Sequence, residues 1–422
     1  MTDIAWIDAA LTAARPQALG ALLRYFRNLD LAEEAFQEAS LRALRNWPKN
    51  GPPGDPTAWL IFVGRNAGVD QIRRGAKLTE MPDEEFVSDL GDAETDMAER
   101  LDGAHYRDDI LRLLFVCCHP DLPATQQIAL ALRIVSGLTV KQIARAFLVG
   151  EAAMEQRITR AKSKIAAAGL PFEAPGPVER SERLGLVAAM TYLVFNEGYS
   201  SAASNPDATQ FCEEAIRLGR ILLKLFPAEP EIMGLLALML IQHSRRNTRF
   251  DNNLAIVLLE KQDRAKWDKV LIGEALALVD KAFRHREPGA YQIQAAIAAL
   301  HARAQKAEDT DWTEIALLYR MLEQLQPSPV VTLNRAVAVS KSDGPAAALA
   351  LIEPLAEQLS GYFYYHGVKG GLLKQMGANH DAREAYNRAI ALANSPAQAT
   401  HIREHLDQLE AEAYASLETK KN

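Results

Sequence analysis

Residues 138–166 decide the fold, and they read LTVKQIARAFLVGEAAMEQRITRAKSKIA. Apolar residues recur at three- and four-residue spacing on both sides of the central LVG, which is typical of two amphipathic helices joined by a tight turn. Thr139 can cap the first helix, and Gly150 ends the turn. Ala144 is small enough to let the two helices cross closely. The stretch therefore predicts a helix-turn-helix.

The second of these helices, predicted over 151–166, separates apolar from basic side chains. Its predicted inner face consists of Met154, Ile158, Ala161 and Ile165. The basic residues at its more exposed positions are Arg157, Arg160, Lys162 and Lys164. A second helix that is basic on its free side is what docking into the major groove of DNA requires.

The same helical periodicity extends outward through almost every long segment, whereas alternating β-branched runs are scarce. We therefore predict an all-α protein. An acidic stretch over 79–109 reads as a linker, and the Pro/Gly cluster at 169–177 interrupts the helices. The predicted division is 1–78, an acidic linker 79–109, a helix-turn-helix domain 110–168, a Pro/Gly linker 169–183 and an extension 184–422.

The extension contains an internal period. Ala336, Ala348, Ile352 and Leu355 recur 34 positions later as Gly370, Ala382, Tyr386 and Ala389. This is the length and size pattern of a tetratricopeptide repeat, in which small residues let paired helices approach. Three earlier segments look like degenerate copies, at 215–227, 275–288 and 312–327. An ordinary helical domain with chance periodicity is the alternative.

The third helix of the first block is predicted over 56–74 and carries a mixed polar face. Trp59, Phe62, Val63, Val69 and Ile72 can form one apolar stripe. The residues that fall mainly on the other side are Arg65, Asn66, Asp70, Arg73, Arg74 and Lys77. Amide, carboxylate and guanidinium groups together suit contacts to base edges and phosphates, and a merely solvated face is the alternative.

The preceding helix, over 30–48, has Ala35, Leu41, Leu44 and Trp47 on its predicted inner face. Glu34, Gln37 and Glu38 form an acidic outer patch near the helix start, where the helix dipole favours negative charge. Such a patch can meet a basic partner helix or serve only solubility.

Composition narrows the class of protein. The chain has 422 residues, a net charge of −7 and three cysteines. The negative charge excludes a basic nucleic-acid coat, so a DNA role requires local patches or a partner that supplies phosphate contacts. So few cysteines fit a reducing compartment, and no secretory signal or membrane-length apolar run is visible. We expect a cytoplasmic protein with no membrane attachment.

Together these patterns resemble the sigma-70 family of RNA polymerase sigma factors, extracytoplasmic-function group. Glu33 to Ala39 and Ala58 to Arg74 look like sigma region 2, and Thr139 to Lys162 looks like region 4. The resemblance covers about the first 170 residues. The motifs at 114–120 and 192–199, followed by repeats, resemble the subgroup with a long C-terminal repeat domain.

The resemblance implies partners and roles for the candidate residues. Glu34, Gln37 and Glu38 would bind core RNA polymerase. The minus-ten promoter element would be read by Arg65, Asn66, Asp70, Arg73, Arg74 and Lys77. The minus-thirty-five element would be read by Ala153, Gln156, Arg157, Arg160 and Lys164. The repeat domain would regulate the factor, through a protein partner or by folding back. Gly150 and Glu155 depart from the family pattern, so upstream contacts are expected to be fewer or differently specific.

No catalytic residue, metal site or cofactor is predicted. Cys117, Cys118 and His119 are consecutive and point to different sides of a helix, so buried structural cysteines are expected rather than a zinc site.

Two rival functions remain open. One is a polymerase-independent helix-turn-helix regulator on a repeat scaffold, and the other is an enzyme with a helical active site around 196–199. Asn196, Glu197 and Tyr199 are also the predicted docking seam, unless Gly198 simply caps a helix end.

Overall fold

The computed structural model describes residues 5–75, 103–119, 121–147, 149–168, 177–201, 209–251, 257–393 and 396–419. Its regular elements are α-helices and short 3-10 turns, and no β-strand occurs in these ranges. The predicted all-α fold class is therefore confirmed. The chain divides into two compact units, Met1–Ala215 and Ile216–Asn422. The finer domain boundaries stay a prediction.

Three mutually packed helices begin the first unit: α1 (Ala5–Phe26), α2 (Leu29–Asn50) and α3 (Pro56–Gly75). The Asn28 side chain caps α2 by accepting a hydrogen bond from the Leu31 N–H at 3.0 Å. Trp47 is buried between Trp6 and Trp59, with ring centroids 6.2 and 5.4 Å apart. These aromatic contacts bring the ends of α1, α2 and α3 together.

The helix-turn-helix follows α4 (Gly103–Cys117) and α5 (Ala124–Ile134) and consists of α6 (Val140–Ala146) and α7 (Glu151–Ala167). Because α4 begins at Gly103, the end of the predicted acidic linker is helical, while 79–102 lies outside the described residues. These residues are helical and not a linker because they pack against α1. Asp109 is buried, and Gly20 of α1 lies so close to its backbone that an added Cβ would come within 2.5 Å of the Asp109 carbonyl oxygen.

Two further helices belong at least partly to the first unit: α8 (Pro177–Ser201) and α9 (Thr209–Leu225). Proline suits the first turn of a helix, so α8 begins inside the predicted linker 169–183, of which 169–176 is not described. α8 packs against α4 and α5. In α9, Phe211 is buried and its ring lies 5.7 Å from that of Phe147, next to the turn of the helix-turn-helix.

The second unit starts with α10 (Pro230–Ser244), which is buried on nearly all sides and packs against two later helices. These are α11 (Lys269–Phe283) and α12 (Ala290–Arg303), and α13 (Trp312–Leu325) follows them. α13 lies within the degenerate repeat segment predicted at 312–327. Within α11, the predicted small residues Ala275 and Ala282 are fully buried.

Residues 245–268 link α10 to α11, and the described parts of this connection, 245–251 and 257–268, contain only short 3-10 turns. Arg264, only 7% exposed, holds it in place. Its guanidinium donates to the carbonyls of His301 (2.7 Å) and Ala304 (2.8 Å) at the end of α12, and to the Thr310 hydroxyl (3.2 Å). It also lies 5.3 Å from the Trp267 ring. These hydrogen bonds from Nη1 and Nη2 offset much of the cost of burying the guanidinium.

The predicted repeats form paired helices, α14 (Pro329–Ser342) with α15 (Pro345–Ile352) and α16 (Phe363–Gln375) with α17 (Asn379–Ala391), before α18 (Pro396–Thr419). Ala336, Ala348 and Ile352 are fully buried in one cluster. In the next repeat, a Cβ on Gly370 would meet the Tyr386 ring at 2.6 Å. Glycine is therefore required where the large residue of the partner helix fills the groove.

No helix among the described residues combines the length and the apolar character needed to cross a membrane.

Candidate DNA and polymerase interfaces

The polar face of α3 is largely open to solvent. Arg65, Asn66 and Arg73 are exposed, and Asp70 is half-buried. The Arg65 guanidinium lies 4.4 Å from the centre of the Tyr25 ring, a cation–π contact that orients it. Asn66, Asp70 and Arg73 lie four and three residues apart, so they share one strip of the helix.

Two predicted residues of this face are less fully described. Arg74 lies in the last turn of α3, where only the backbone is described, and Lys77 lies outside the described residues. The predicted apolar stripe holds for Trp59 and Val63, which are buried, but fails at Ile72, which is 50% exposed. Ile72 lies near the end of α3, where no other helix covers it among the described elements that pack on α3.

The acidic patch of α2 is at the surface. Glu34 and Gln37 are exposed, and Glu38 is half-buried. The Gln71 side chain of α3 donates to Glu34 at 2.5 Å, and Arg42 pairs with Glu38 at 2.9 Å. Glu34 and Glu38 thus have partners within the protein, and the patch retains acceptor oxygens that can meet a basic partner.

The predicted inner face of α2 needs a correction. Leu41 and Leu44 are 49% and 42% exposed, so they do not point inward. The buried side of α2 consists mainly of alanines, together with Glu33, Phe36 and Trp47. Short alanine side chains let α1 and α3 approach closely, and the larger leucines turn outward beside the acidic patch. The prediction placed the two leucines inside because they are more apolar than alanine, but close helix packing requires the shorter side chain.

The helix-turn-helix has the predicted local geometry. The Thr139 hydroxyl accepts from the Gln142 backbone N–H at 3.2 Å, and the Gln142 side chain accepts from the Thr139 N–H at 2.9 Å, so the two form a capping box. Ile143 and Ala144 are buried, as are all four predicted inner residues of α7. Gly150 stands at the start of α7 without a side-chain cap, consistent with its departure from the family pattern.

The predicted reading residues of α7 lie on its outer side. Ala153, Gln156, Arg160 and Lys164 are exposed, and Arg157 is half-buried. The Lys164 ammonium donates to the Asp121 carbonyl at 2.5 Å. These positions place amide and cationic groups along one helix that is free to approach a groove. Their roles in DNA recognition stay a prediction.

Lys162 does not lie on the free face as predicted. Its side chain is 18% exposed, and its ammonium donates to Asp30 at 2.8 Å and to Glu33 at 2.7 Å, both on α2. Burial by itself would lower the pKa of Lys162, but the hydrogen bonds and negative charges of Asp30 and Glu33 outweigh it and raise that pKa above its usual value. The burial of Lys162 could not be predicted from its own helix, because Asp30 and Glu33 lie about 130 positions away in the chain.

The motif around 192–199 lies inside α8. Because α8 continues to Ser201, Gly198 is an interior residue and not a helix cap, so that alternative is wrong. Phe195 is 1% exposed, and the Tyr192 and Tyr199 rings stack on it with centroids 6.3 and 5.6 Å away. Burial raises the pKa of Tyr192. The motif thus forms a row of three stacked aromatic rings on the helix that packs against α4 and α5.

Cys117 and Cys118 are buried free thiols, as expected. Burial raises the pKa of both, so both remain protonated at neutral pH.

His380, Asp381 and Glu384 bring ligand atoms within 4.8 Å of one another on the surface of α17. All three are exposed, and exposed acidic groups often cluster without an ion.

Comparison with known proteins assigns these blocks. Residues 11–78 match the family model described as sigma-70 region 2, and residues 112–165 match the one described as sigma-70, region 4. Residues 183–283 match a family of unknown function (DUF6596). An uncharacterized protein of Rhizobium meliloti (strain 1021) is 69% identical over 423 residues, covering all of both chains.

Proposed function

Since the chain belongs to the sigma-70 family and is thus a transcription initiation factor, we propose that it directs core RNA polymerase to promoters by reading the minus-ten element with α3 and the minus-thirty-five element with α7. The observation that carries this proposal is that regions 2 and 4 occur in this order, each with an exposed polar helix face. The combination is consistent with the extracytoplasmic-function group. Sigma-70 proteins are transcription factors rather than enzymes, and their partners are core polymerase and promoter DNA.

In the minus-ten interaction, Asn66 and Asp70 supply hydrogen-bonding groups for base edges. Arg65, Arg73, Arg74 and Lys77 supply positive charge for phosphates. For Arg65, the cation–π contact with Tyr25 supports this role because it gives the exposed guanidinium a defined orientation. In the minus-thirty-five interaction, Ala153 and Gln156 face the groove near the start of α7, while Arg157, Arg160 and Lys164 clamp the backbone.

Polymerase binding is proposed for Glu34, Gln37 and Glu38. The exposed Leu41 and Leu44 support it, because they add an apolar area beside the acidic patch. An interface with an apolar centre and a charged rim is more stable than one built from charges alone. Core polymerase would then supply most of the DNA affinity, which reconciles a net charge of −7 with promoter binding.

We also propose that the extension regulates the factor and that a protein partner binds its repeats. Support comes from α8, which begins in the predicted linker, continues into the extension and packs against α4 and α5 of the region 4 block. A stack of helix pairs offers the extended surface that commonly binds peptides or proteins. A cytoplasmic location is expected because promoters and polymerase are found there.

Run-off transcription tests the proposed function. Core polymerase with the full chain should initiate from candidate promoters at several times the level of core alone. A variant with Glu34, Gln37 and Glu38 changed to alanine should lose most of that gain, whereas Lys306→Ala, an exposed change in the second unit, should keep it. Initiation equal to core alone at every promoter, with the extension present or removed, would contradict the assignment. Specific duplex binding without polymerase would then favour a conventional regulator.

The α3 face gives a separate prediction. Asn66→Ala and Asp70→Ala should change base preference within the minus-ten element, each by about 1–3 kcal/mol at the base concerned. Arg73→Ala and Arg74→Ala should weaken binding to all promoters alike, because phosphate contacts position a protein without reading sequence. Initiation from a library randomised at the minus-ten element measures both effects. Unchanged profiles for all four variants would mean that the face is only solvated.

A further inference from the structure

We propose that a charge clasp holds the region 4 block closed against the region 2 block, and that it must open before both promoter elements are bound. The clasp consists of two buried carboxylates, Glu33 and Asp109, and the cations around them. The second half of the proposal rests on the proposed function, whereas the first half concerns the free protein.

Glu33 of α2 is the centre of the clasp. Its side chain is only 5% exposed, although a lone carboxylate is strongly disfavoured in such a place. Two cations of the region 4 block compensate it: Lys162 of α7 at 2.7 Å and Arg133 of α5 at 3.0 Å. Arg15 of α1 lies 3.7 Å away and also donates to the Ile134 carbonyl of α5 at 2.9 Å.

Asp109 of α4 is a second buried carboxylate at this contact. It is 1% exposed and pairs with Arg112 of its own helix at 2.8 Å and with Arg24 of α1 at 3.4 Å. Asp109 lies just before the region 4 match on the helix that enters it, so Arg24 adds a longer second contact from the region 2 block.

Ion pairs of this kind suit a contact that has to break. Taking charges out of water costs nearly as much as their attraction returns, so the net stability of a buried pair is small. When the blocks separate, water solvates Glu33 and Asp109 again. The contact is specific, because a mismatched charge there is costly, and yet it is reversible.

Promoter geometry requires the separation. α7 contacts α2, and α2 contacts α3, so the two reading helices lie about two interhelix distances, or roughly 20 Å, apart. The minus-ten and minus-thirty-five elements are separated by more than two turns of DNA, or about 80 Å at 3.4 Å per base pair. The closed unit therefore cannot contact both elements together.

Lys162 links the clasp to DNA binding. It lies on the same helix as Arg160 and Lys164, but its ammonium is occupied by Asp30 and Glu33 in the closed form. On opening, it becomes available to a DNA phosphate. The carboxylates of α2 thus occupy the position that phosphates would take, and promoter DNA competes with them.

The test measures the distance between spin labels in the full-length chain, placed at Ala13→Cys on α1 and Ala167→Cys at the end of α7. Both positions are exposed, and the native cysteines 117, 118 and 212 are buried. The free protein should give one short distance. Glu33→Gln and Lys162→Gln should each raise the population with a longer distance at least tenfold, the equivalent of about 1.4 kcal/mol. Asp8→Asn, an exposed carboxylate change on α1, should leave it unchanged.

Adding core polymerase and a promoter fragment that supports initiation should lengthen the wild-type distance by more than about 30 Å, close to one turn of DNA. Circular dichroism shows which variants are folded. If Glu33→Gln does not fold, the test relies on Lys162→Gln. Distances in folded variants that equal those of the wild type would overturn the clasp. A short distance that persists in an active promoter complex would overturn the need for opening. If run-off transcription fails but the variants open, the proposed function fails and the clasp stands.

Discussion

Replacing Arg157, Arg160 and Lys164 together with alanine is expected to reduce promoter affinity of the polymerase complex on the order of 100-fold, since each contact contributes about 1 kcal/mol or more. Arg160 and Lys164 are exposed and Arg157 is half-buried, and the buried face of α7 is formed by other residues, so the variant should still fold. Each lost phosphate contact should also lower the slope of log affinity against log salt by about 0.9. Binding to a promoter fragment across a salt series measures both quantities.

The matched control for this experiment is Lys306→Ala, which removes an exposed positive charge from the second unit. It should change neither the affinity nor the salt slope. If the triple variant keeps the parent slope, the basic face of α7 does not meet DNA phosphates. If affinity falls while the slope stays the same, the variant has disturbed packing and not phosphate contacts.

Phe195→Ala is expected to destabilise the first unit by about 3–5 kcal/mol, because it removes a buried aromatic ring and leaves a cavity. The ring is 1% exposed, and Tyr192 and Tyr199 stack on it. For a unit of this size, such a loss should lower the melting temperature by about 10 °C. Thermal unfolding followed by circular dichroism measures the change.

Tyr199→Ala keeps Phe195 and removes one half-buried ring, so it should cost less stability while still disturbing the seam. If the extension regulates the factor through α8, this folded variant should change the level of run-off transcription. Unchanged transcription and unchanged regulation in cells would contradict a regulatory seam. Truncation near residue 175 would be a less clean test, because it removes α8 and uncovers the surfaces of α4 and α5 on which α8 packs.

Local sequence patterns determined two parts of the fold, the helix-turn-helix and the helix pairs of the repeat. The helix-turn-helix could be predicted because its signals, a Thr139 cap and an apolar face repeating every three to four residues, act between near neighbours. The repeat could be predicted because the close helix pairing at Gly370 and Ala382 needs small residues wherever it recurs. In both cases the information lies within a few turns of helix.

Only the tertiary structure decided which similar residues point inward and which charges pair. The alanine side of α2 is buried and Leu41 is exposed, because close packing with α1 and α3 selects short side chains over apolar ones. Lys162 looks like any other basic residue of α7 until Glu33, far away in the chain, is brought beside it. Likewise, Arg264 becomes a buried anchor only when α12 presents its terminal carbonyls. Periodicity records the orientation of a side chain on its own helix, but a buried ion pair depends on which helices meet, and that is fixed by packing over the whole unit.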